Sequence, residues 1–189
     1  MNNVESHISI QYFQHAYAEF ILGSYNNALC LCDFRYRNMR NAVDRRVQQS
    51  LNANFVEQTS DVIEMTKVQL NDYFVGKRQN FDIPLVTAGS PFQKTVWHAL
   101  QTIGYGTTLS YKQLAAAINN PDAVRAVGTA NGANALAIII PCHRVIASDG
   151  TLGGYAGGLA LKKRLLSLEQ KAQQYTTTLN KEWVWKNQG

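Results

Sequence analysis

Residues 110–131 read SYKQLAAAINNPDAVRAVGTAN, and this stretch decides how the second half of the chain is built. Ser110 is placed to cap a helix whose apolar face is Leu114, Ala117 and Ile118. The run Asn119-Asn120-Pro121 then breaks the periodicity. A second helix is expected from Pro121, a favoured first helical position, with Asp122 near the positive end of its dipole. Its core side would be Ala123, Val124, Val127 and Ala130, with Arg125 off that face. Helix, short turn and small-residue helix make the outline of a helix-turn-helix. Ala126, Gly128 and Ala130 would let the second helix approach another backbone closely. Two packed helices on a short turn are structural more often than they read DNA, so this outline speaks to fold and not yet to task.

Upstream, residues 87–91 (TAGSP) form a linker signal, and Ser90 with Pro91 begins another helix bearing Phe92, Val96, Leu100 and Ile103 on one face. The run GYGTT (104–108) ends it, and helix is expected to follow helix from there without a strand hairpin. The first half has a different texture. Residues 9–34 are rich in aromatic and β-branched residues and read as strands, with Tyr25-Asn26-Asn27 as a turn. A polar helix with Met39, Val43, Val47 and Leu51 on one face follows. The next helix is capped by Ser60 or Asp61, carries Ile63, Leu70 and Phe74, and ends at Gly76. Residues 80–86 (NFDIPLV) read as an edge strand, because Pro84 cannot donate to a ladder. The expected organisation is an α/β domain over residues 1–86, a mostly α domain over 87–171, and a tail over 172–189 whose Trp183 and Trp185 pack on the core.

Composition narrows the function classes. A chain of 189 residues can bury one large core or two small ones. No run of about eighteen apolar residues is present, so no membrane span is expected. The start, MNNVESHISIQ, lacks the basic and apolar regions of a signal peptide, which points to a cytoplasmic protein. The three cysteines, Cys30, Cys32 and Cys142, do not form a disulfide framework. On a strand Cys30 and Cys32 would share one face and pack there. The four histidines show no metal spacing with the cysteines, so no metal is assigned. A formal charge of +5 mildly favours a polyanionic partner.

Just beyond the helix pair lies the segment IIIPCHRV (138–145), where three β-branched residues run into a proline, a cysteine and a histidine. Ile138 to Ile140 are expected to anchor the segment in the core and Pro141 to turn the chain. Cys142 is either a packed thiol or a nucleophile; the second requires a base and a group to orient that base. His143 is at hand, and Asp149 or Glu169 is available as its carboxylate partner. The glycine-rich run from Gly150 suggests close backbone approach, then a helix from about Leu159.

Over residues 90–171 the chain resembles the O⁶-alkylguanine-DNA alkyltransferases, also called methylated-DNA–protein-cysteine methyltransferases. The matching strings are SYKQLA, VRAVGTAN, NALAIIIPCHRV and GGYAGGLALKKRLLSLE, in order and at family spacing. The resemblance implies a ribonuclease H-like first half and a winged-helix-like second half. It implies DNA repair in which an alkyl group passes irreversibly from O⁶-alkylguanine, or O⁴-alkylthymine, to Cys142 in a single turnover. His143 is then the proton relay through water, Glu169 its orienting carboxylate, and Tyr111 the residue that rotates the nucleotide and donates toward guanine N3. Arg125 would enter the base stack, and Asn134 would tie the recognition helix to the active-site turn. Ala126, Gly128 and Asn131 join Arg125 and Tyr111 on the DNA side, in the minor groove. Pro141, Val145, Tyr155 and Ala156 form the pocket, with the carbonyls of Cys142 and Val145 and the N–H of Ala156 reading the base. The resemblance implies a monomer acting on double-stranded DNA, with no cofactor and no membrane, and the length and cysteine spacing are those of a single-function form. Where many relatives have N-P-x-P this chain has Asn134-Ala135-Leu136-Ala137, which predicts a less rigid loop; Ala156 replaces a serine of some relatives. Alternatives are a non-catalytic alkylguanine sensor that recruits a repair partner, a transcription regulator and a thiol hydrolase.

Overall fold

The alternating apolar residues of the first third pair into a sheet that must be covered on both faces, and the next two helices cover it. The computed structural model describes residues 6–186, with side chains to residue 173. Strands β1 (His7–His15), β2 (Ala18–Tyr25) and β3 (Ala28–Phe34) pair antiparallel, and β4 (Asn54–Glu57) adds parallel to β1, giving the order β3-β2-β1-β4. The β2–β3 turn uses Asn26 and Asn27 at φ 47° and 59°, a conformation asparagine tolerates well. Helix α1 (Arg40–Leu51) lays Val43 and Val47 against Ile8, Ile10 and Ile21. Helix α2 (Asp61–Phe74) covers the other face with Ile63, Leu70 and Phe74 against Phe20, Leu22 and Phe34. Ser60 caps α2, its Oγ accepting from the Ile63 N–H at 3.3 Å.

One strand of this half was not foreseen, and two expectations need correction. Strand β4 is four residues long and mostly exposed, too short to show a period in the sequence. Residues 80–86 are not a strand: they touch β3 through one bridge, Leu29 to Leu85. Met39 sits before α1 in the left-handed region at φ 62° and is 76% exposed, so it adds nothing to the helix's apolar face.

Strand β3 also carries a bulge. Leu31 pairs with Gly23 and Leu29 with Ser24, which leaves Cys30 without an opposite residue. The extra residue breaks the alternation, so Cys30 packs on the α1 side while Cys32 packs on the α2 side, rather than both on one face. It also turns Leu29 and Cys32, three residues apart, toward the same outer edge. Leu29 N–H donates to the Pro84 carbonyl at 2.7 Å, and its own carbonyl accepts from Val86 at 3.0 Å. Cys32 makes the equivalent pair with the Ala135 carbonyl at 2.8 Å and the Ala137 N–H at 2.7 Å. The stretch that lacks the two prolines is therefore zipped onto β3, and main-chain bonds replace the rigidity that proline would supply.

The second half is helical as expected. Ser90 with Gln93 forms a capping box on α3 (Pro91–Gln101), and Ser110 with Gln113 forms another on α4 (Tyr111–Ala117). Helix α5 (Val124–Gly132) starts three residues later than expected: Pro121 and Asp122 lie in the turn and Ala123 is the cap. On α4 the buried residues are Leu114 and Ala115, whereas Ala117 is exposed. A small parallel sheet, β5 (Leu109–Ser110) with β6 (Val145–Ile146), was not legible because two-residue strands have no period. Helix α6 (Leu159–Lys186) closes the fold; the side chains of Trp183 and Trp185 lie outside the described residues. Among the described residues no helix is long and apolar enough to cross a membrane.

Arginines of the first half hold the end of α5. Arg37 donates to the carbonyls of Gly132 at 2.7 Å and Asn134 at 3.1 Å, and Arg46 to that of Ala133 at 2.5 Å. Positive charge at a helix C-terminus satisfies carbonyls left without intrahelical partners. The fully buried Asp33 orients Arg37 at 2.7 Å and Arg40 at 2.9 Å. Removing one member of a buried pair strands the other charge. Asp33→Asn is therefore expected to lower the unfolding free energy by about 3 kcal/mol in urea titrations; an unchanged midpoint would show that the carbonyl contacts alone fix the arginines.

Candidate active site

Ile138, Ile139 and Ile140 are all buried, as their character demands, but they form a turn and not an extended run. Ile140 N–H reaches back to the Leu136 carbonyl at 2.8 Å, and Ile138 adopts φ 71°. A β-branched residue in the left-handed region costs roughly 1–2 kcal/mol, which burial of the three side chains offsets. The chain thus reverses before Pro141 and not at it. Cys142 to Arg144 then make a single tight helical turn, and Val145 enters β6.

This turn sets Cys142 against a cavity of about 330 Å³ that Tyr111, Asn134, Tyr155 and Ala156 also line. The amide of Asn134 donates to Cys142 Sγ at 3.2 Å and to the Ile140 carbonyl at 2.9 Å, while its oxygen accepts from Leu136 N–H at 2.9 Å. All three bonds brace the turn that carries Cys142. Burial pushes the thiol up to about 11, against the downward pull of the Asn134 donor. A base is needed before it can act at neutral pH.

A candidate for that base stands next in the chain. His143 is fully buried, and its Nε2 lies 2.8 Å from Glu169 Oε1. Burial holds the imidazole below its ordinary range despite the carboxylate's pull. An ionised Glu169 fixes the proton on Nε2, which leaves Nδ1 as the free lone pair; among the described residues Nδ1 has no partner. Burial would raise the Glu169 pKa, but the hydrogen bonds and charges of His143 and Arg144 outweigh it and bring it to about 2. Asp149, the other candidate partner, is exposed and accepts from Thr151 at 2.9 Å.

The remaining expected residues fall into three places. Tyr111 opens α4 with its ring against Gly153, where a Cβ would come within 3.1 Å of that ring and the backbone is at φ 63°. Arg125 and Ala126 are exposed on α5, and Gly128 lines the cavity. Asn131, expected on the DNA side, instead turns inward and donates to the Cys142 carbonyl at 3.4 Å, because it follows Val127 by one helical turn on the buried face. Pro141 and Val145 are buried and do not line the cavity, and the Val145 carbonyl accepts from Lys162 at 2.6 Å.

Several contributors were missed. Arg144 grips Glu169 with Nε at 2.9 Å and Nη2 at 3.0 Å, and donates to the Ile103 carbonyl at 2.6 Å. Lys162 gathers the carbonyls of Val145, Leu152 and Gly154 around its ammonium, pinning the glycine-rich loop. Arg37 and Asn38 line the cavity from the first half. Tyr73 donates to Glu169 Oε1 at 2.6 Å. The available signals were a charged residue inside an apolar run for Arg144, and a tyrosine on the buried face of a helix, whose hydroxyl needs a partner.

Residues 91–171 match the family model described as the DNA-binding domain of 6-O-methylguanine DNA methyltransferase. A methylated-DNA–protein-cysteine methyltransferase of Methanosarcina barkeri is 57% identical over 102 residues, which cover 54% of this chain and 65% of that protein. One from Methanosarcina mazei is 49% identical over 113 residues, covering 60% and 72%. The chain thus spans somewhat under two thirds of the first of these relatives. The OGT protein of Mycobacterium tuberculosis, solved in complex with DNA, superposes with a TM-score of 0.74 at 35% identity, covering 87% of this chain and 94% of that one.

The Glu169 pKa has a consequence for stability. Its folded value, about 2, lies below the ordinary 4.5, so the folded state binds its proton less readily than the unfolded chain. The stabilisation is therefore fully present above 4.5 and is lost as pH falls through 4.5 toward 2, by about 3 kcal/mol. Urea midpoints at pH 7, 4 and 2.5 should show this loss in the native protein and much less of it in Glu169→Gln.

Proposed function

Because this chain belongs to the methylated-DNA–protein-cysteine methyltransferase family, we propose that it repairs DNA by moving the alkyl group of O⁶-alkylguanine onto its own Cys142. The observation that carries the reading is the buried thiol facing a cavity of about 330 Å³, with the buried His143–Glu169 pair beginning at the next residue. Sulfur attacks the alkyl carbon, the S–C bond forms as the C–O⁶ bond breaks, and the electron pair leaves with guanine. The thiol proton goes to His143 Nδ1 through a bridging water, and guanine takes up a proton, so the net transfer is from thiol to base. Glu169 stabilises the imidazolium that forms in between. The product is a thioether with no acyl bond for water to cleave, so each molecule acts once.

A stacked base cannot present its O⁶ carbon to a buried thiol, so the nucleotide must be swung out of the helix. The exposed run on α5, with Arg125 beside Ala126 and Thr129, supports close approach to the minor groove with Arg125 filling the vacated stack. Tyr111 lines the cavity, which supports a role for its hydroxyl in donating toward N3 of the flipped base. The reading includes a monomer in the cytoplasm, acting on double-stranded DNA without cofactor, on O⁶-alkylguanine and possible O⁴-alkylthymine lesions. It also includes the finer fold names: the β3-β2-β1-β4 order supports a ribonuclease H-like first half, and the α3–α5 cluster with its small sheet supports a winged-helix-like second.

Incubation with an oligonucleotide carrying O⁶-methylguanine is expected to add one methyl mass to the peptide containing Cys142, at one equivalent per protein. Binding of the lesion with no added mass would favour the sensor alternative. Arg125→Ala should slow repair of duplex DNA at least about tenfold, on the scale of a few kcal/mol for flipping, while reaction with free O⁶-benzylguanine stays near native. Equal losses on both substrates would assign Arg125 to the pocket or the fold.

A further inference from the structure

Tyr73 reaches the His143–Glu169 pair from the half of the chain that carries neither residue. It is fully buried on α2, with its hydroxyl 2.6 Å from Glu169 Oε1 and 3.5 Å from His143 Nε2. The ring is packed edge-on against Phe74 and Tyr105, at centroid distances of 5.6 and 6.2 Å. That packing needs a phenyl ring and makes no use of the hydroxyl. The hydroxyl has a separate role: Oε1 is the same oxygen that His143 uses, whereas Arg144 spreads its two bonds over both oxygens.

Building on the alkyl-transfer reading above, we propose that Tyr73 is a positioning residue: its hydroxyl holds Glu169 Oε1 against His143 and weakens the carboxylate's pull on the imidazole. A donor to a carboxylate withdraws charge from it and so makes it a poorer acceptor for its other partner. Facing the imidazole and the carboxylate are Arg144 from the tight turn, Lys162 from α6, Tyr155 from the glycine-rich loop, and Tyr105 with the Gly106 N–H from the loop after α3. Beside His143 itself, Tyr73 is the neutral donor on Oε1 among the described residues. Its bond keeps the imidazole weakly basic, so that His143 is neutral when the thiol needs an acceptor. Removing the hydroxyl strengthens the His143–Glu169 bond, raises the basicity of His143, and extends the protonated, unreactive form to higher pH.

The test uses two variants of the full chain, Tyr73→Phe and Tyr73→3-fluorotyrosine, whose phenol is the stronger donor. In Tyr73→Phe the proton resonance of His143 Nε2–H should move downfield. The acid limb of the single-turnover rate with O⁶-benzylguanine should rise by about half to one pH unit, and the plateau should fall by about three- to tenfold. The fluorinated variant should shift the resonance and the acid limb the opposite way, and it carries the test alone if Tyr73→Phe does not fold. An unmoved resonance and acid limb in the folded variants, with rate loss that follows Tm, would overturn the proposal. Opposite shifts of the resonance, in a native protein that transfers no methyl group, would uphold the tyrosine's hold on the pair and overturn the function assigned to it.

Discussion

A carboxylate with no solvent exposure must be satisfied by protein donors, and Glu169 draws them from every part of the site. Its two oxygens accept from Tyr73 on α2, from Gly106 N–H after α3, and from His143 and Arg144 on the tight turn. The residue itself belongs to α6. Loss of any of these donors would leave charge buried and underpaired, which is far more costly than loss of an exposed ion pair. The same carboxylate that holds His143 therefore locks together the segments that surround it. Position and chemistry are one constraint here.

The first half completes the site by holding the segments that flank Cys142 and by lining its cavity with Arg37 and Asn38. The arginines around Asp33 seize the carbonyls at the end of α5, and β3 bonds the stretch from Ala135 to Ala137. Both attachments lie within a few residues of Asn134, whose amide braces Cys142. Rigid scaffolding of this kind is what keeps a nucleophile within a fraction of an ångström of its working position.

Features written in adjacent residues were legible in the sequence. Ser60, Ser90 and Ser110 cap the helices they were expected to cap, since a cap depends on its next three residues. Cys142, His143 and Glu169 were found through the resemblance to the family, whose matching strings carry them; the residues alone left Asp149 and Glu169 both open as the carboxylate. Tyr73 and Arg37 were not found, for their partners lie 96 and 97 residues away and no local pattern announces them. The bulge at Cys30 and the turn at Ile138 escaped for another reason. Each opposes local propensity and exists because tertiary packing prevails over it.

The bulge on β3 has a consequence for how the two halves can change over generations. It directs two outward-facing residues to main-chain partners, and a peptide bond does not register which side chain accompanies it. Along β3 the seam between the halves is therefore specified by backbone geometry, whereas Asp33, Arg37, Arg46 and Tyr73 hold the rest of it through their side chains. Leu29 and Cys32 can be replaced by residues that keep the strand shape, while Arg37, Arg46 and Tyr73 cannot change without losing a bond to the second half, nor Asp33 without losing its hold on Arg37. One joint thus combines main-chain contacts that tolerate substitution with side-chain contacts that do not.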